Sequence, residues 1–473
     1  MNRHMRCNRY SRRATPFLLS ITVFVVALTA AASGERKESV LYSFQSIPDG
    51  ATPFGGVVLG KDGNLYSTTT YGGANPCSPS QCGTVFQLAP PAKQGEAWTE
   101  TVIYVFQGNT HGDGNTPQGG VIFDPAGNLY GTTAYGGTGN CILLGTKTGC
   151  GTVYQMQPPR SKRGAWTEKV LYSFKGGKDG QLPQGELVFD RAGNIYGATQ
   201  YGGGYGSCNA PFYQHCGTVF EVSPPKVKGG KWTEKVLYSF KSGQDGANPN
   251  GGLVFDRKGA IYGTTIFGGG NNRMCKADLG VGCGTLFKLS PSSKNPGTWN
   301  QATLYRFQAG KDGAAPNGGL AWDSKGALYG TTFVGGSENG TVFRFDPPVQ
   351  GKGNWIEHLL FVFQSCGDKD GCSPWVGPTF GPGGDMYATA GGGASDGGIV
   401  FRMKPPKTSG GSWSFAPVYS FHGSPDGFGP GGIALSGEGT IYGVTEYGGT
   451  GQPCQGGCGT VFAVAPSAGA SKP

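Results

Sequence analysis

The chain has 473 residues, including 89 glycines and 32 prolines, and 12% of its residues are aromatic. Only 14% are charged, which excludes a charge-rich helical bundle or coiled coil, and the formal net charge is +9. The aromatic content excludes a disordered chain, because such chains lack the large apolar side chains that form a core. The composition therefore predicts a turn-rich, all-β protein.

Residues 1–33 have the pattern of a secretory signal peptide. An apolar run from Phe17 to Ala32 ends in small residues, and it is shorter than the roughly 20 residues of a membrane span. We expect cleavage near Ala32 and no membrane span afterwards; an N-terminal anchor is the alternative, and Sec and Tat export both stay open. The run is preceded by five arginines: Arg3, Arg6, Arg9, Arg12 and Arg13. Without them the net charge falls to about +4, which is too small to indicate nucleic-acid binding.

A four-part repeat fills the rest of the chain. The unit that begins at Gly251 contains four β-type runs, which we name strands A (GGLVFD), B (IYGTT), C (GTLFKLSP) and D (Trp299 to TLYRF). Strand D ends in a phenylalanine seven times along the chain, at Phe44, Phe106, Phe174, Phe240, Phe307, Phe363 and Phe421. The repeat therefore has seven copies, with the length differences in the B–C and C–D loops.

The strands with which the repeat begins and ends predict how the ring of sheets closes. The first run, Val40 to Phe44, is a lone strand D, and the last unit ends after strand C at Pro466. Pairing these two fragments completes a seventh sheet and removes the exposed edges of an open array. We predict a seven-bladed β-propeller over residues 38–466, with the N-terminal strand closing the last blade, a flexible tail at 467–473 and a monomeric state.

The repeat resembles a known family. The pattern GG-x-VFD, GN-x-YG-T-T-x-YGG, CGTVF and WTEKVLYSF recurs across residues 38–466 and resembles the GloVer (Gloeobacter–Verrucomicrobia type) tandem repeat of bacterial exported proteins. The resemblance implies an exported repeat protein of unassigned activity, which is often surface-attached through a C-terminal anchor. The last nine residues contain no apolar segment of that kind.

Twelve cysteines follow the signal segment, and they fall into local pairs. An even count, local spacing and export favour disulfides over a metal site, which would need four ligands within reach. The predicted pairs are Cys77/Cys82, Cys141/Cys150, Cys208/Cys216, Cys275/Cys283, Cys366/Cys372 and Cys454/Cys458.

Every D–A loop carries Asp-Gly-x-x-Pro or a close variant. The structural interpretation is a turn in which the aspartate accepts backbone N–H groups. The functional alternative is a rim of carboxylates for Ca²⁺ or a cationic ligand, for which Asp368 and Asp370 are the candidates. We predict no other cofactor.

Catalytic candidates are few. His111, His215 and His422 lie in loops that topology places on one face, and Glu446 and Glu186 are near that face. They could perform acid–base chemistry, although three unrelated loop histidines are the simpler interpretation because the three lie in different blades.

The sixth unit departs most from the repeat. It moves its cysteine pair into the D–A loop, adds Asp368 and inserts Trp375, while the fifth unit shortens its B–C loop. Because few ligands have seven-fold symmetry, such departures mark a candidate site, and Trp375, Asp368, Asp370 and the non-repeated Trp322 are its predicted residues. Relaxed drift of a tolerant repeat is the alternative.

Three functions are consistent with these features. The first is an exported, non-catalytic propeller that binds an extracellular ligand, a glycan or a protein. The second is a lyase or carbohydrate-active hydrolase with its site on the face that carries the D–A loops. The third is a passive component of the cell envelope. The sequence leaves periplasmic, extracellular and cell-surface locations open.

Overall fold

The computed structural model describes residues 37–466, except 75–81, 94, 144, 162–163, 205–207, 209–215, 271–274, 276–281, 352, 409 and 453. The predicted signal segment at 1–33 and the tail at 467–473 lie outside the described residues. Within the described part, seven small antiparallel sheets form a ring, which confirms the seven-bladed β-propeller.

Each sheet is one blade, and its strands follow the order A-B-C-D from the channel outwards. From blade 1 to blade 7, the A strands are Val58–Leu59, Ile122–Phe123, Val188–Phe189, Val254–Phe255, Ala321–Trp322, Thr379–Phe380 and Phe428–Leu435. The B strands are Leu65–Thr69, Leu129–Thr133, Ile195–Tyr201, Ile261–Phe267, Leu328–Thr332, Met386–Ala390 and Ile441–Tyr447. The C strands are Thr84–Ala89, Thr152–Gln157, Thr218–Ser223, Thr285–Pro291, Thr341–Asp346, Ile399–Lys404 and Thr460–Val464. The D strands are Thr99–Val105, Thr167–Ser173, Thr233–Ser239, Trp299–Arg306, Ile356–Val362, Ser414–Ser420 and Glu38–Ser43.

Short elements occupy the loops. Two-residue or three-residue strands are Gly114–Asn115, Tyr135–Gly136, Ile142–Leu143, Thr146–Lys147, Gln181–Pro183 and Ala247–Pro249. The 3-10 turns are Asn109–His111, Val349–Gly351 and Pro382–Gly384. We call the side with the D–A and B–C loops the upper face and the side with the A–B and C–D loops the lower face.

The ring closes between the two ends of the described chain. Strand Glu38–Ser43 pairs antiparallel with Thr460–Val464, so that Glu38 faces Val464 and Ser43 faces Thr460. Blade 7 is therefore composite, as the phase of the repeat predicts, and its outer edge is supplied by the N-terminal strand.

The core lies between the blades. The seven phenylalanines that end or follow strand D are at most 1% exposed. Each packs on an aromatic ring of strand C in the next blade, with centroids 4.9 to 5.7 Å apart, as in Phe44–Phe86 and Phe421–Phe462. Such edge-on aromatic pairs add to the free energy gained by burying their surface, and here the same contact recurs around the ring.

The aspartates of six D–A loops have a structural role. In each, the carboxylate accepts a hydrogen bond from a tyrosine of the preceding strand D at 2.7–2.9 Å and one or more bonds from backbone N–H groups. These aspartates are Asp49, Asp113, Asp179, Asp245, Asp312 and Asp426. The bonds fix the path of the chain from the outer strand of one blade to the inner strand of the next.

Disulfides pin the loops of five blades: Cys141–Cys150, Cys208–Cys216, Cys275–Cys283, Cys366–Cys372 and Cys454–Cys458. They confirm five of the six predicted local pairs and indicate an oxidising, non-cytoplasmic compartment. Among the described residues, no helix has the length and apolar character that crossing a bilayer requires.

The sixth predicted pair differs from the other five. Cys82 is fully buried, packs in the core between blades 1 and 2 with Val85 and Phe106, and is disulfide-bonded. Its predicted partner, Cys77, lies outside the described residues. The structure therefore does not confirm the pairing of Cys82 with Cys77, which stays a prediction, and it shows Cys82 as a core residue as well as a loop cysteine.

Candidate functional site

A central cavity, which we call the channel, lies where the seven A strands begin. It measures about 440 Å³, within the range of small-molecule sites. It is lined by residues 54–59, 118–120, 184–186, 250–252, 317–320, 375–379 and 432–435, so that all seven blades contribute. A ligand without seven-fold symmetry would be recognised where the lining residues differ from one blade to another.

Most A strands begin with two glycines, and the two meet different surroundings. The first glycine touches the next blade: a Cβ atom added to Gly251 would lie 2.5 Å from the carbonyl oxygen of Gly318. The surroundings of the second glycine differ between blades: a Cβ atom on Gly252 would have nothing nearer than 3.5 Å, whereas one on Gly432 would lie 2.6 Å from the Cα atom of Gly56. The first position therefore closes the ring, and the second leaves open space in blade 4 but not in blade 7.

Glu186 occupies the second position in blade 3 and places a carboxylate in the channel. Cβ atoms added to Gly56 and Gly120 would lie 3.6 and 3.4 Å from its Oε1 atom, and one on Gly252 would lie 3.8 Å from Oε2. The side chain thus reaches toward blades 1, 2 and 4 at once. It is open to the lumen but surrounded by protein, and this burial raises the pKa of the Glu186 carboxyl.

Amide side chains lie above Glu186 on one side of the channel. The residue before the glycine pair is an amide in four consecutive blades, at Gln118, Gln184, Asn250 and Asn317. The Nδ2 atom of Asn250 donates to Oδ1 of Asn317 at 2.7 Å, while the buried Oδ1 of Asn250 has no hydrogen-bond partner in the described structure. We call these four residues the amide arc.

Aromatic side chains lie on the other side. Trp375 of blade 6 lines the channel, is 44% exposed and packs on Phe333 with ring centroids 4.1 Å apart. It follows Pro374 and is an insertion, because the other blades have at most one residue between this proline and the first glycine. Phe54 of blade 1 lines the same cavity. The upper mouth of the channel is thus amide on one side and aromatic on the other.

The other residues predicted around Trp375 are divided between two places. Asp368 and Asp370 lie in the D–A loop held by Cys366–Cys372, and the tyrosine that binds the aspartate of six other loops is replaced here by Phe361. Among the described residues, no group of three or more His, Cys, Asp or Glu side chains is arranged to hold a metal. A calcium site at this pair therefore stays a prediction.

Trp322 lies away from Trp375, in a cleft on the lower face between blades 4 and 5. There it packs on Tyr262 and Trp355, with ring centroids 5.1 and 6.3 Å away. The same position is phenylalanine in four other blades, and in those the ring also packs on the tyrosine of the neighbouring strand B. Trp322 thus follows the packing pattern of the repeat.

Three of the four acid–base candidates, His111, His422 and Glu446, have local contacts. His422 pairs with Asp426 of its own loop at 3.3 Å, and the Nδ1 atom of His111 lies 3.4 Å from the Gln107 carbonyl oxygen. Burial raises the pKa of Glu446, against the effect of a hydrogen bond with Tyr447. His215 lies outside the described residues. Each of these contacts is made within one loop or strand, and none of them brings the two histidines and Glu446 together.

Sequence reasoning identified Trp375 and placed Glu186 near the upper face, but it found neither the amide arc nor the position of Glu186 in the channel. The signal that could have found them is the alignment of the seven strand A segments, in which one glutamate replaces glycine and four amides precede the glycines in consecutive blades.

The comparisons with known proteins give one family. The sequence profile described as the Gloeobacter/Verrucomicrobia repeat matches residues 22–207 and 143–357. No curated sequence is similar enough to count as a match.

Solved structures show distant similarity. They include the luciferin-regenerating enzyme (12% identity, TM-score 0.42, 80% of this chain and 98% of that one) and the PQQ-bound aldose sugar dehydrogenase of Streptomyces coelicolor (13%, 0.39, 72% and 92%). A gluconolactonase of Xanthomonas campestris is similar at 15% identity and a TM-score of 0.38, covering 76% of this chain and 88% of its own. These similarities are too distant to transfer an activity.

Proposed function

The chain belongs to the Gloeobacter/Verrucomicrobia repeat family, and from this premise and the channel geometry we propose that it is an exported binding protein. Its ligand is a polar, ring-sized molecule of the carbohydrate class, which enters the channel from the upper face. The disulfides are consistent with an extracytoplasmic setting.

The observation that carries the proposal is the asymmetry of the channel mouth. A half-exposed indole, Trp375, faces the space opposite four amides. Sugar rings present apolar C–H faces and a rim of hydroxyl groups, so an aromatic platform and amide hydrogen-bonding groups suit both parts of such a ligand. The buried Oδ1 of Asn250 is an acceptor that a ligand hydroxyl could satisfy.

The cavity volume supports the same class. About 440 Å³ admits a mono- or disaccharide but not a folded protein domain. The channel is also lined largely by backbone, whose N–H and C=O groups are fixed in position by the sheets, so little conformational entropy is lost when a ligand binds.

We test the proposal by titrating the disulfide-bonded protein with the disaccharide of N-acetylglucosamine, following heat and tryptophan fluorescence. The Trp375→Ala variant is expected to bind at least tenfold more weakly, a loss of about 1.4 kcal/mol. Val227→Ala, at a 69% exposed residue of a C–D loop, is the matched surface control and is expected to bind like the parent.

A parent that binds no disaccharide, or a Trp375→Ala variant that folds and binds equally well, would contradict the proposal. Folding of each variant is checked by circular dichroism and thermal melting, so that a loss of binding is not confused with a loss of structure.

A further inference from the structure

Resting on the proposed function, we propose that the ligand carries a protonated amine and that Glu186 of the channel is its counter-ion, which makes an amino sugar the preferred ligand. The amine would point down the channel while the sugar ring stays between Trp375 and the amide arc.

The position of Glu186 gives the first argument. Its carboxylate extends into the lumen opposite glycines of blades 1, 2 and 4. Five of the six other blades have glycine at this position, and blade 6 has Pro378. The channel therefore contains one negative charge among residues that carry no charge of their own.

The absence of a protein partner gives the second argument. Among the described residues, no side chain donates a hydrogen bond to the Glu186 carboxylate and no Lys, Arg or His pairs with it. Glu186 is open to the lumen, but the protein around it replaces part of its water, and this burial raises the pKa of its carboxyl. A cationic group that enters the channel would stabilise the ionised carboxylate by forming a charge-assisted hydrogen bond.

An organic ammonium fits the surroundings better than a metal ion. Carbonyl oxygens of the ring already accept hydroxyl groups: Ser67 donates to Gly55 at 3.0 Å, Thr68 to Gly119 at 3.1 Å and Thr389 to Gly431 at 3.0 Å. A single carboxylate with occupied carbonyls is a poor set of ligands for Ca²⁺, which takes six to eight oxygens. The cavity is also far larger than an ion.

The experiment compares two probes that differ in charge: the β-1,4-linked disaccharide of glucosamine and its fully N-acetylated form. Both are titrated at pH 6.5, where the amines of the glucosamine disaccharide are largely protonated, and at constant salt into the parent, Glu186→Gln and Glu186→Gly. The last variant restores the residue that most blades have at this position, so it is expected to fold.

We expect the parent to bind the amine form at least tenfold more tightly than the acetylated form, and both variants to lose this preference while still binding the acetylated form. Equal binding of the two probes by the parent, or a preference that survives in Glu186→Gln, would overturn the inference and leave the proposed function standing. Competition by millimolar Ca²⁺ that Glu186→Gln abolishes would also overturn it, because Glu186 would then be a metal ligand. If neither probe binds, the inference and the proposed function both fail.

Discussion

At the scale of single residues, the glycine pairs of strand A separate two requirements of a closed ring. Neighbouring blades approach so closely at the first glycine that backbone meets backbone, as between Gly251 and Gly318 or between Gly185 and Asn250. At the second glycine of blade 4 there is free space, and the equivalent position of blade 3 holds Glu186, whereas a Cβ atom on Gly432 of blade 7 would lie 2.6 Å from the backbone of Gly56. The first position is small because nothing else fits, and the need for glycine at the second differs from blade to blade.

This difference predicts opposite outcomes for two adjacent substitutions. Gly251→Ala places a Cβ atom 2.5 Å from a backbone oxygen that cannot move alone, so we expect a loss of roughly 1–3 kcal/mol in the free energy of unfolding. Gly252→Ala meets only ordinary van der Waals contacts and is expected to change it by less than about 0.5 kcal/mol. Urea denaturation of both variants measures the difference, and equal losses would contradict the assignment.

At this scale the sequence predicts the turns and strands well. It does not predict whether a given side chain points into the channel or toward a neighbouring blade. The Asp-Gly-x-x-Pro pattern predicts turns, and the bonds of Asp245 to Tyr238 and to the Lys241 N–H confirm that interpretation. The sequence places Glu186 near the upper face, but that it faces the axis was not predictable, because this depends on how seven blades meet.

At the scale of elements, strand A is shorter than its sequence suggests in six of the seven blades, Phe428–Leu435 of blade 7 being the exception. The run GGLVFD predicts six residues, whereas Val254–Phe255 is the paired part in blade 4. The reason is that Gly251 contacts the next blade instead of strand B of its own sheet. Strands B, C and D match their predicted positions because alternation and turn residues define them locally.

Strand Glu38–Ser43 is the element that closes the ring, and its removal is a direct test. Without residues 37–45, Thr460–Val464 becomes an open edge and Phe86 loses its contact with Phe44. We expect the shortened protein to melt at least 10 °C lower than the parent and to form aggregates, as unpaired edges do. A synthetic peptide of residues 37–45 is expected to restore part of the stability, and a truncated protein that is monomeric with an unchanged melting temperature would contradict the closure.

At the scale of the whole molecule, pairs of carboxyl groups recur between blades. In five blades, a strand D glutamate with a buried Oε1 atom that has no hydrogen-bond partner faces the D–A aspartate of the preceding blade. Burial, and then the charge of that aspartate, raise the pKa of these glutamates to about 7 or 8. The five are Glu38, Glu100, Glu168, Glu234 and Glu357. Blade 4 has Gln301 instead, and blade 6 has Phe415, which stacks on Phe361 at 3.9 Å.

These pairs predict a protein that is more stable in mild acid. The ordinary pKa of glutamate is near 4.5, and the pKa of these glutamates in the folded state is near 7 or 8. At a pH between these values, the glutamates are still protonated in the folded protein but ionised in the unfolded chain. Stability is therefore greatest near pH 5, falls as the pH rises through 7–8 and then levels off. Because the groups are partly solvated, we expect on the order of 1 kcal/mol from each pair rather than the full value of the shift.

Thermal melting from pH 5 to pH 9 measures this dependence. Replacing Glu100, Glu168 and Glu234 by glutamine, the residue that blade 4 already has, is expected to flatten the profile and raise the melting temperature at pH 8. A parent whose melting temperature rises from pH 5 to pH 8 would contradict the prediction. Because Asp113 and Asp312 also have raised pKa values, some dependence is expected to persist in the variant.

The composite seventh blade also constrains the order in which the protein can fold. Glu38 must meet Val464, so the final contact joins residues more than 400 positions apart and cannot form until nearly the whole chain has been synthesised. Until then, the growing array has two unpaired edges and depends on protection from other chains. The five described disulfides do not share this delay, because the partners of each are only four to nine residues apart. The blades that carry them can therefore be covalently fixed early, and the ring is completed last.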